Sequence, residues 1–359
     1  MHKIQNYKTS TGNICIMSCL ADIFNYYNLD VTESIIFTLS EASLFYYKHF
    51  NLDDALRNNV PLKLFELKIG GMQYDIPLMI QNTIQYFDIR TESVSSLDMA
   101  EIKEFITRHV DQQRPVLSLL SRKHLSYMNK KYRDDITHSI NILGYCWENN
   151  ELMVSDTYIP TTPVISYEGP LSVRDYYNSL FSSKDIFNKN FSFRNISFIH
   201  QKKLPFTMLP LTIAIQPLKN IASNFLNGEC LEGGILTGVK GYKQFVADFE
   251  EWMQADITPL VFDVMRIIHH RLTNFGGPVI TNKLLANYMD YLFTKWHNSE
   301  YQRLNSMFSD LSRNWFVIAN LFGKASFHMT KESKVNLYQR LVDIITLEES
   351  VYNRIIENS

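Results

Sequence analysis

Residues 9–28 read TSTGNICIMSCLADIFNYYN, and the fold turns on how this stretch is understood. Apolar side chains recur at Ile16, Cys19, Leu20, Ile23, Phe24 and Tyr27, the 3.6-residue spacing of a helix with one buried face. Asn28 supplies a stop signal. The segment before the periodic run is polar and contains Gly12, so the helix is expected to begin after Asn13. Cys15 then stands at its first turn and Cys19 one turn further in, on the same face. A thiol becomes a nucleophile as thiolate, and both a helix N-terminus and a nearby imidazolium lower its pKa. The helix-end effect fades within the first turn. Chemistry is therefore expected of Cys15 and packing of Cys19. The competing reading is an inert, buried Cys15, since free cysteine is among the most buried residue types.

Working outward, Thr32 and the following ESIIFTLSEASLFYY suggest a helical or mixed segment. IPLMIQNTIQYF and MAEIKEFITRHVDQQ predict helices, and PVLSLLS predicts a buried strand. The strongest hairpin signal spans Ile136 to Tyr158. Ile136–Cys146 is strand-like, residues 148–150 (ENN) form a turn, and Leu152–Tyr158 is strand-like again. Folding at that turn brings the outer ends of the strands together, with His138 on one and Asp156 on the other. A carboxylate there can hold one imidazole nitrogen and leave the other to a thiolate, which is the nucleophile–base–orienter arrangement. After Pro163 the pattern is irregular, with one strand candidate in SFRNISFIHQKK. From about Leu211 the stripes are helical. The expected division is a domain over residues 1–165 and a connector with a helical domain over residues 166–359.

Composition narrows the class. The chain has 359 residues, 45% hydrophobic and 13% aromatic, which suits sizeable cores rather than disorder. A net charge of −2 argues against a nucleic-acid binder that relies on a basic field. The N-terminal stretch lacks a signal-peptide core, and no apolar run is long enough to cross a bilayer. Four scattered cysteines do not form a disulfide framework. The expectation is a cytoplasmic protein with neither membrane nor nucleic acid as partner.

The order Cys15, His138, Asp156 is that of papain-like enzymes. The stretch CIMSCLADIFNYYNLDVTESIIFTLSEASLFYY resembles the N-terminal region of the butirosin biosynthesis protein H family. Cys15, Tyr26, Tyr27, Glu33, Phe37, Leu39, Glu41, Phe45 and Tyr46 carry the likeness. THSINILGY and VSDTYIP resemble the family's His and Asp segments. GYKQFVADFEEWM and RLTNFGGPVITNKLLANYMDYL resemble parts of its C-terminal domain. The chain departs from the family at Asn13 and Ile14, at Asn28, and at Pro278 and Val279 after Gly276 and Gly277.

The resemblance implies an α+β fold. A papain-like domain, its Cys-bearing helix packed on an antiparallel sheet, would precede a mostly helical domain that forms part of the substrate pocket. It also implies an acyltransferase of antibiotic and other natural-product biosynthesis. Cys15 would take an acyl group from the phosphopantetheine thioester of an acyl or peptidyl carrier protein and pass it to a small-molecule amine. His138 would be the base and Asp156 its orienter. The Cys15 N–H would hold the oxyanion, with the Asn13 side chain as a second donor. No cofactor is expected beyond the phosphopantetheine that arrives with the carrier, no metal is expected, and the reading allows a homodimer. The same residues would also serve a peptidase or thioesterase, and the scaffold would also serve a non-catalytic binding protein.

Other features carry blander expectations. Adjacent His269 and His270 leave a helix on different sides and suit a helix surface. GGPVITNK lacks the preceding strand of a phosphate loop. Arg122, Lys123, Lys130, Lys131 and Arg133, and also Lys202 and Lys203, read as solvated charge or as a docking patch for an acidic partner. Cys146 and Cys230 are expected to pack.

Overall fold

The computed structural model describes residues 1–52, 67–72, 75–182, 193–200, 205–254, 259–274 and 276–357. The fold is α+β, with an antiparallel-sheet N-terminal region and a mostly helical C-terminal part. The chain divides into two compact units. One comprises Met1–Ser40 and Asp75–Leu209, the other Glu41–Tyr74 and Pro210–Ser359. This interleaved division differs from the single cut at 165 expected from the change in sequence pattern.

In the first unit the predicted hairpin forms as β6 (Thr137–Cys146) and β7 (Glu151–Ile159). They are central strands of a seven-stranded antiparallel sheet. Along it lie β4 (Ile89–Val94), β9 (Asn195–His200), β5 (Val116–Ser121), β6, β7 and β8 (Ile165–Ser172), with β1 (His2–Lys3) also paired to β6. Side chains alternate between faces along a strand. Val116 and Leu120, Ile140 and Ile142, and Leu152 and Val154 thus share one face. They build a core with Ile102, Phe105 and Ile106 of α4 (Met99–Asp111) and Val173, Tyr176 and Leu180 of α5 (Val173–Ser182).

The opening stretch is α1 (Cys15–Tyr26), which packs against β6 and β7. Asn28 adopts φ +61°, consistent with the predicted stop. The following segment is mixed: α2 (Glu33–Leu39) capped by Thr32, then β2 (Ser43–Lys48). α3 (Ile76–Ile84) starts behind the Asp75 cap. Two elements after Pro163, β8 and α5, were not anticipated.

The second unit has its own sheet, in the order β10 (Cys230–Leu231), β11 (Ile235–Thr237), β2, β3 (Ile69–Met72). Among the described residues six helices accompany it: α6 (Leu211–Asn227), α7 (Gly238–Gln254), α8 (Pro259–Thr273), α9 (Pro278–Trp296), α10 (Ser299–Ala325) and α11 (Lys331–Glu357). Trp315, Tyr242, Phe245 and Phe249 are fully buried within it. The Gly276–Gly277 pair is a turn into α9, not a phosphate loop. A Cβ on Gly277 would lie 2.3 Å from the Arg271 carbonyl oxygen, so the close approach requires glycine there.

Candidate active site

Cys15 is the first residue of α1. The residue before it, Ile14, is extended and offers no side-chain cap, whereas α2, α3 and α4 are each capped by Thr32, Asp75 or Asp98. The first intrahelical bond runs from Ser18 N–H to the Ile14 carbonyl at 3.0 Å. The N–H groups of Cys15, Ile16 and Met17 therefore have no bond within the helix, and they leave the positive end of the helix dipole beside the thiol.

The loop leading into Cys15 is held by a residue 20 positions on. The Glu33 carboxylate accepts the Asn13 N–H (2.8 and 3.0 Å), the Ile14 N–H (2.6 Å) and the Asn13 side-chain amide (2.8 Å). One of the two Asn13 side-chain N–H groups is thus committed to Glu33, which weakens its expected part as an oxyanion donor. Gly12 lets the loop lie against both α1 and β7. Its N–H bonds the Thr157 carbonyl at 2.9 Å, and a Cβ there would sit 2.2 Å from Ser18 Cβ.

Below the pair Asn141–Ser155 the register of β6 with β7 ends. At Ser139 the strand turns its backbone groups to α1 instead. Its carbonyl accepts from Cys19 Sγ at 3.5 Å, and its N–H favours the ionised Cys15 thiol. Thr157 meets the same helix, with its hydroxyl 2.6 Å from Ser18 Oγ and 3.5 Å from Cys19 Sγ. Cys15 consequently lies where the two strands part.

His138 and Asp156 meet there. His138 Nε2 is 2.8 Å from Asp156 Oδ2, and the two side chains are 2% and 0% exposed. That bond uses Nε2 and leaves Nδ1 free of Asp156, and the ring and the Cys15 thiol act on each other's charge. Asp156 is fully partnered: Oδ1 accepts the Tyr158 N–H at 3.0 Å, and Oδ2 also accepts the Tyr127 hydroxyl at 2.8 Å. Tyr127 comes from the basic loop, where sequence gave no sign of a partner for Asp156.

Charge follows geometry. Burial opposes ionisation of the Cys15 thiol, but the His138 ring beside it and the Ser139 N–H outweigh burial and bring its pKa down. Burial likewise opposes charge on His138, yet the Asp156 carboxylate and the Cys15 sulfur push it up to about 10. The pair therefore favours thiolate and imidazolium. Cys19 has no such partner: burial raises it well above the usual thiol range. Cys15 also keeps some surface exposed while Cys19 is buried.

The remaining expectations sort plainly. Arg122 is buried against Asp134, and Arg133 is spent on the Met128 carbonyl at 2.7 Å, so neither is a free docking charge. Lys123 reaches Asp135 at 3.5 Å, and Lys131 lies over the Tyr132 ring. Lys202 and Lys203 fall outside the described residues. His269 bonds the Ala319 carbonyl, and His270 is exposed. Cys230 is exposed on its short strand rather than packed, and Cys146 is half-buried. Among the described residues no group of His, Cys, Asp and Glu could hold a metal, and no helix is long and apolar enough to cross a membrane.

A comparison with curated proteins finds no match. The family model described as butirosin biosynthesis protein H, N-terminal, matches residues 14–157, which contain Cys15, His138 and Asp156. Over this N-terminal region the chain is similar to the butirosin biosynthesis protein H family, a family of antibiotic-biosynthesis enzymes.

Proposed function

We propose that the protein is a cysteine acyltransferase. It moves an acyl group from a carrier-bound phosphopantetheine thioester to an amine through an acyl-Cys15 intermediate. The observation that carries this reading is the Cys15 thiol at an uncapped helix start, its charge acted on by the His138 imidazole, whose Nε2 is held by Asp156 at 2.8 Å. The similarity of residues 14–157 to the butirosin biosynthesis protein H N-terminal family supports the biosynthetic setting.

The chemistry follows from the ion pair. The Cys15 thiolate attacks the thioester carbonyl carbon, and the carbonyl oxygen gains the negative charge. The Cys15 N–H, free of any bond within the helix, is placed to bind that oxygen. As the carbonyl re-forms, the bond to the pantetheine sulfur breaks and that sulfur takes the imidazolium proton. The pantetheine thiol leaves, and acyl-Cys15 and neutral His138 remain. A neutral amine then attacks the acyl-Cys15 carbonyl and gives its proton to His138. Cys15 departs as thiolate, the amide is released, and the starting ion pair is restored. Exchange between thioesters is close to isoenergetic, so the site needs positioning more than driving force. Asp156 supplies it by fixing the ring, and burial keeps the His138–Asp156 contact out of water.

The test is a product assay with acyl-loaded carrier protein, run with and without amine. Amide formation that outpaces acyl loss to water supports the transferase. Rapid hydrolysis whatever amine is offered would make the protein a thioesterase. A folded protein with no turnover of carrier-linked or small thioesters would leave a binding scaffold.

A further inference from the structure

The loop between β5 and β6 presents a residue that this mechanism has not used. Leu125 and Met128 are buried in the sheet core, and Arg133 closes back on the Met128 carbonyl. Tyr127, between these two anchors, is held over the end of the hairpin. Its ring stacks on Tyr167 of β8, with centroids 4.2 Å apart and planes within 7°. Its hydroxyl donates to Asp156 Oδ2 at 2.8 Å, and that same oxygen stands 2.8 Å from His138 Nε2.

We propose that Tyr127 is a positioning residue of the Cys15 site, sharing one oxygen of Asp156 with His138 and so setting both the plane of the carboxylate and the strength of its hold on the imidazole. The proposal rests on the reading of Cys15 and His138 as the working pair. An acceptor oxygen that serves two donors holds each less tightly than it would hold one. This matters because the imidazole must release its proton to the leaving sulfur and later take one from the amine. An imidazolium clamped by an unshared carboxylate would be a poorer acid. The second donor tempers that clamp, while the Tyr158 N–H on Oδ1 keeps the carboxylate from turning.

The charged and titratable groups around this network come from several elements. Cys15 and Cys19 face it from α1, His138 from β6, Asp156 and Tyr158 from β7, and Tyr167 from β8. Arg122 and Glu33 act on it through Tyr158. Burial and Asp156 push the Tyr127 hydroxyl well above the ordinary phenol range, so it remains a donor throughout the working pH range.

Alkylation of Cys15 by iodoacetate, followed by peptide mass mapping from about pH 5 to about pH 11, reads the His138 charge directly. The rate falls when the thiolate loses its imidazolium partner. In the wild-type protein that alkaline limb is expected near pH 10. Tyr127→Phe keeps the stacked ring and removes only the hydroxyl. It should move the limb upward by roughly one pH unit, the scale of one hydrogen bond to a charged group. At pH 10 the wild type would then sit at about half its plateau rate and the variant at about nine-tenths. Site-specific 3-fluorotyrosine at position 127, a stronger donor, should move the limb downward, and it carries the test if Tyr127→Phe fails to fold. Tyr132→Phe, in the same loop but without the Asp156 contact, should match the wild type.

A limb unmoved or lowered in Tyr127→Phe, or unmoved with fluorotyrosine, overturns the proposal. The assay needs neither acyl donor nor amine. A shifted limb without acyl transfer would therefore refute the transferase reading alone, and acyl transfer with an unmoved limb would refute the role of Tyr127 alone.

Discussion

Glu33→Gln tests how the segment before Cys15 is held. The carboxylate takes three N–H groups, two of them from the backbone of Asn13 and Ile14, at 2.6 to 3.0 Å. Hydrogen bonds to a charged acceptor contribute about 1.5–3 kcal/mol each, and neutral ones about 1 kcal/mol. Removing the charge therefore costs on the order of 1 kcal/mol for each bond that survives. The glutamine amide also replaces one acceptor oxygen with a donor, so at least one N–H loses its partner. The expected loss is roughly 2–4 kcal/mol. For a unit of this size each kcal/mol lowers Tm by about 2–4 °C, which predicts a fall of roughly 4–16 °C. Calorimetry gives that value, and iodoacetamide labelling of Cys15 gives the local consequence. A loosened loop displaces Cys15 from the ring, and its labelling at neutral pH should slow several-fold. A Glu33→Gln protein with unchanged Tm and unchanged labelling would refute the reasoning.

A thiol-directed electrophile should label Cys15 well before Cys19 in the wild type, and His138→Ala should shrink the difference; peptide mapping that finds Cys19 first would reverse the assignment. In the second unit, Glu348 is buried and accepts from Trp315 Nε1 at 2.8 Å and Asn282 Nδ2 at 3.2 Å, yet burial still pushes its pKa up to about 7. The folded state thus binds this proton more tightly than the unfolded chain, so its stabilisation is full below the ordinary glutamate range and is lost as pH rises toward 7, by up to about 3 kcal/mol. Denaturant unfolding should show wild-type stability falling from about pH 5 to about pH 8 more steeply than in Glu348→Gln; parallel curves would mean that Glu348 titrates normally.

The hairpin was legible because two segments rich in β-branched and apolar residues flank an unambiguous turn, and the meeting of His138 and Asp156 follows from that fold-back. The Cys15 helix was legible from its period. What escaped the sequence depends on contacts between distant residues. β2 pairs with β11, Lys48 lying opposite Ile235, so no local pattern could assign residues 41–48 to the second unit. β8 places Gly169 at a buried position and leaves Ile165 exposed, so its apolar residues do not mark its buried face. Glu33 stands in the first turn of α2, and its hold on Asn13 and Ile14 appears only once α1 and α2 are folded against each other. Tyr127 lay hidden in a run of basic residues, two of which, Arg122 and Arg133, serve to pin the loop rather than to meet solvent.

The central claim is that Cys15 accepts an acyl group, and intact-mass spectrometry after mixing with acyl-loaded carrier protein tests it most directly. The account predicts a mass gain equal to one acyl group, mapped to Cys15. The adduct should discharge to an amide when amine is added, disappear in Cys15→Ser, and form more slowly in Asp156→Asn but less slowly than in His138→Ala. A folded wild-type protein whose Cys15 is readily alkylated, yet which takes no acyl group from any carrier-linked or small thioester, would contradict it.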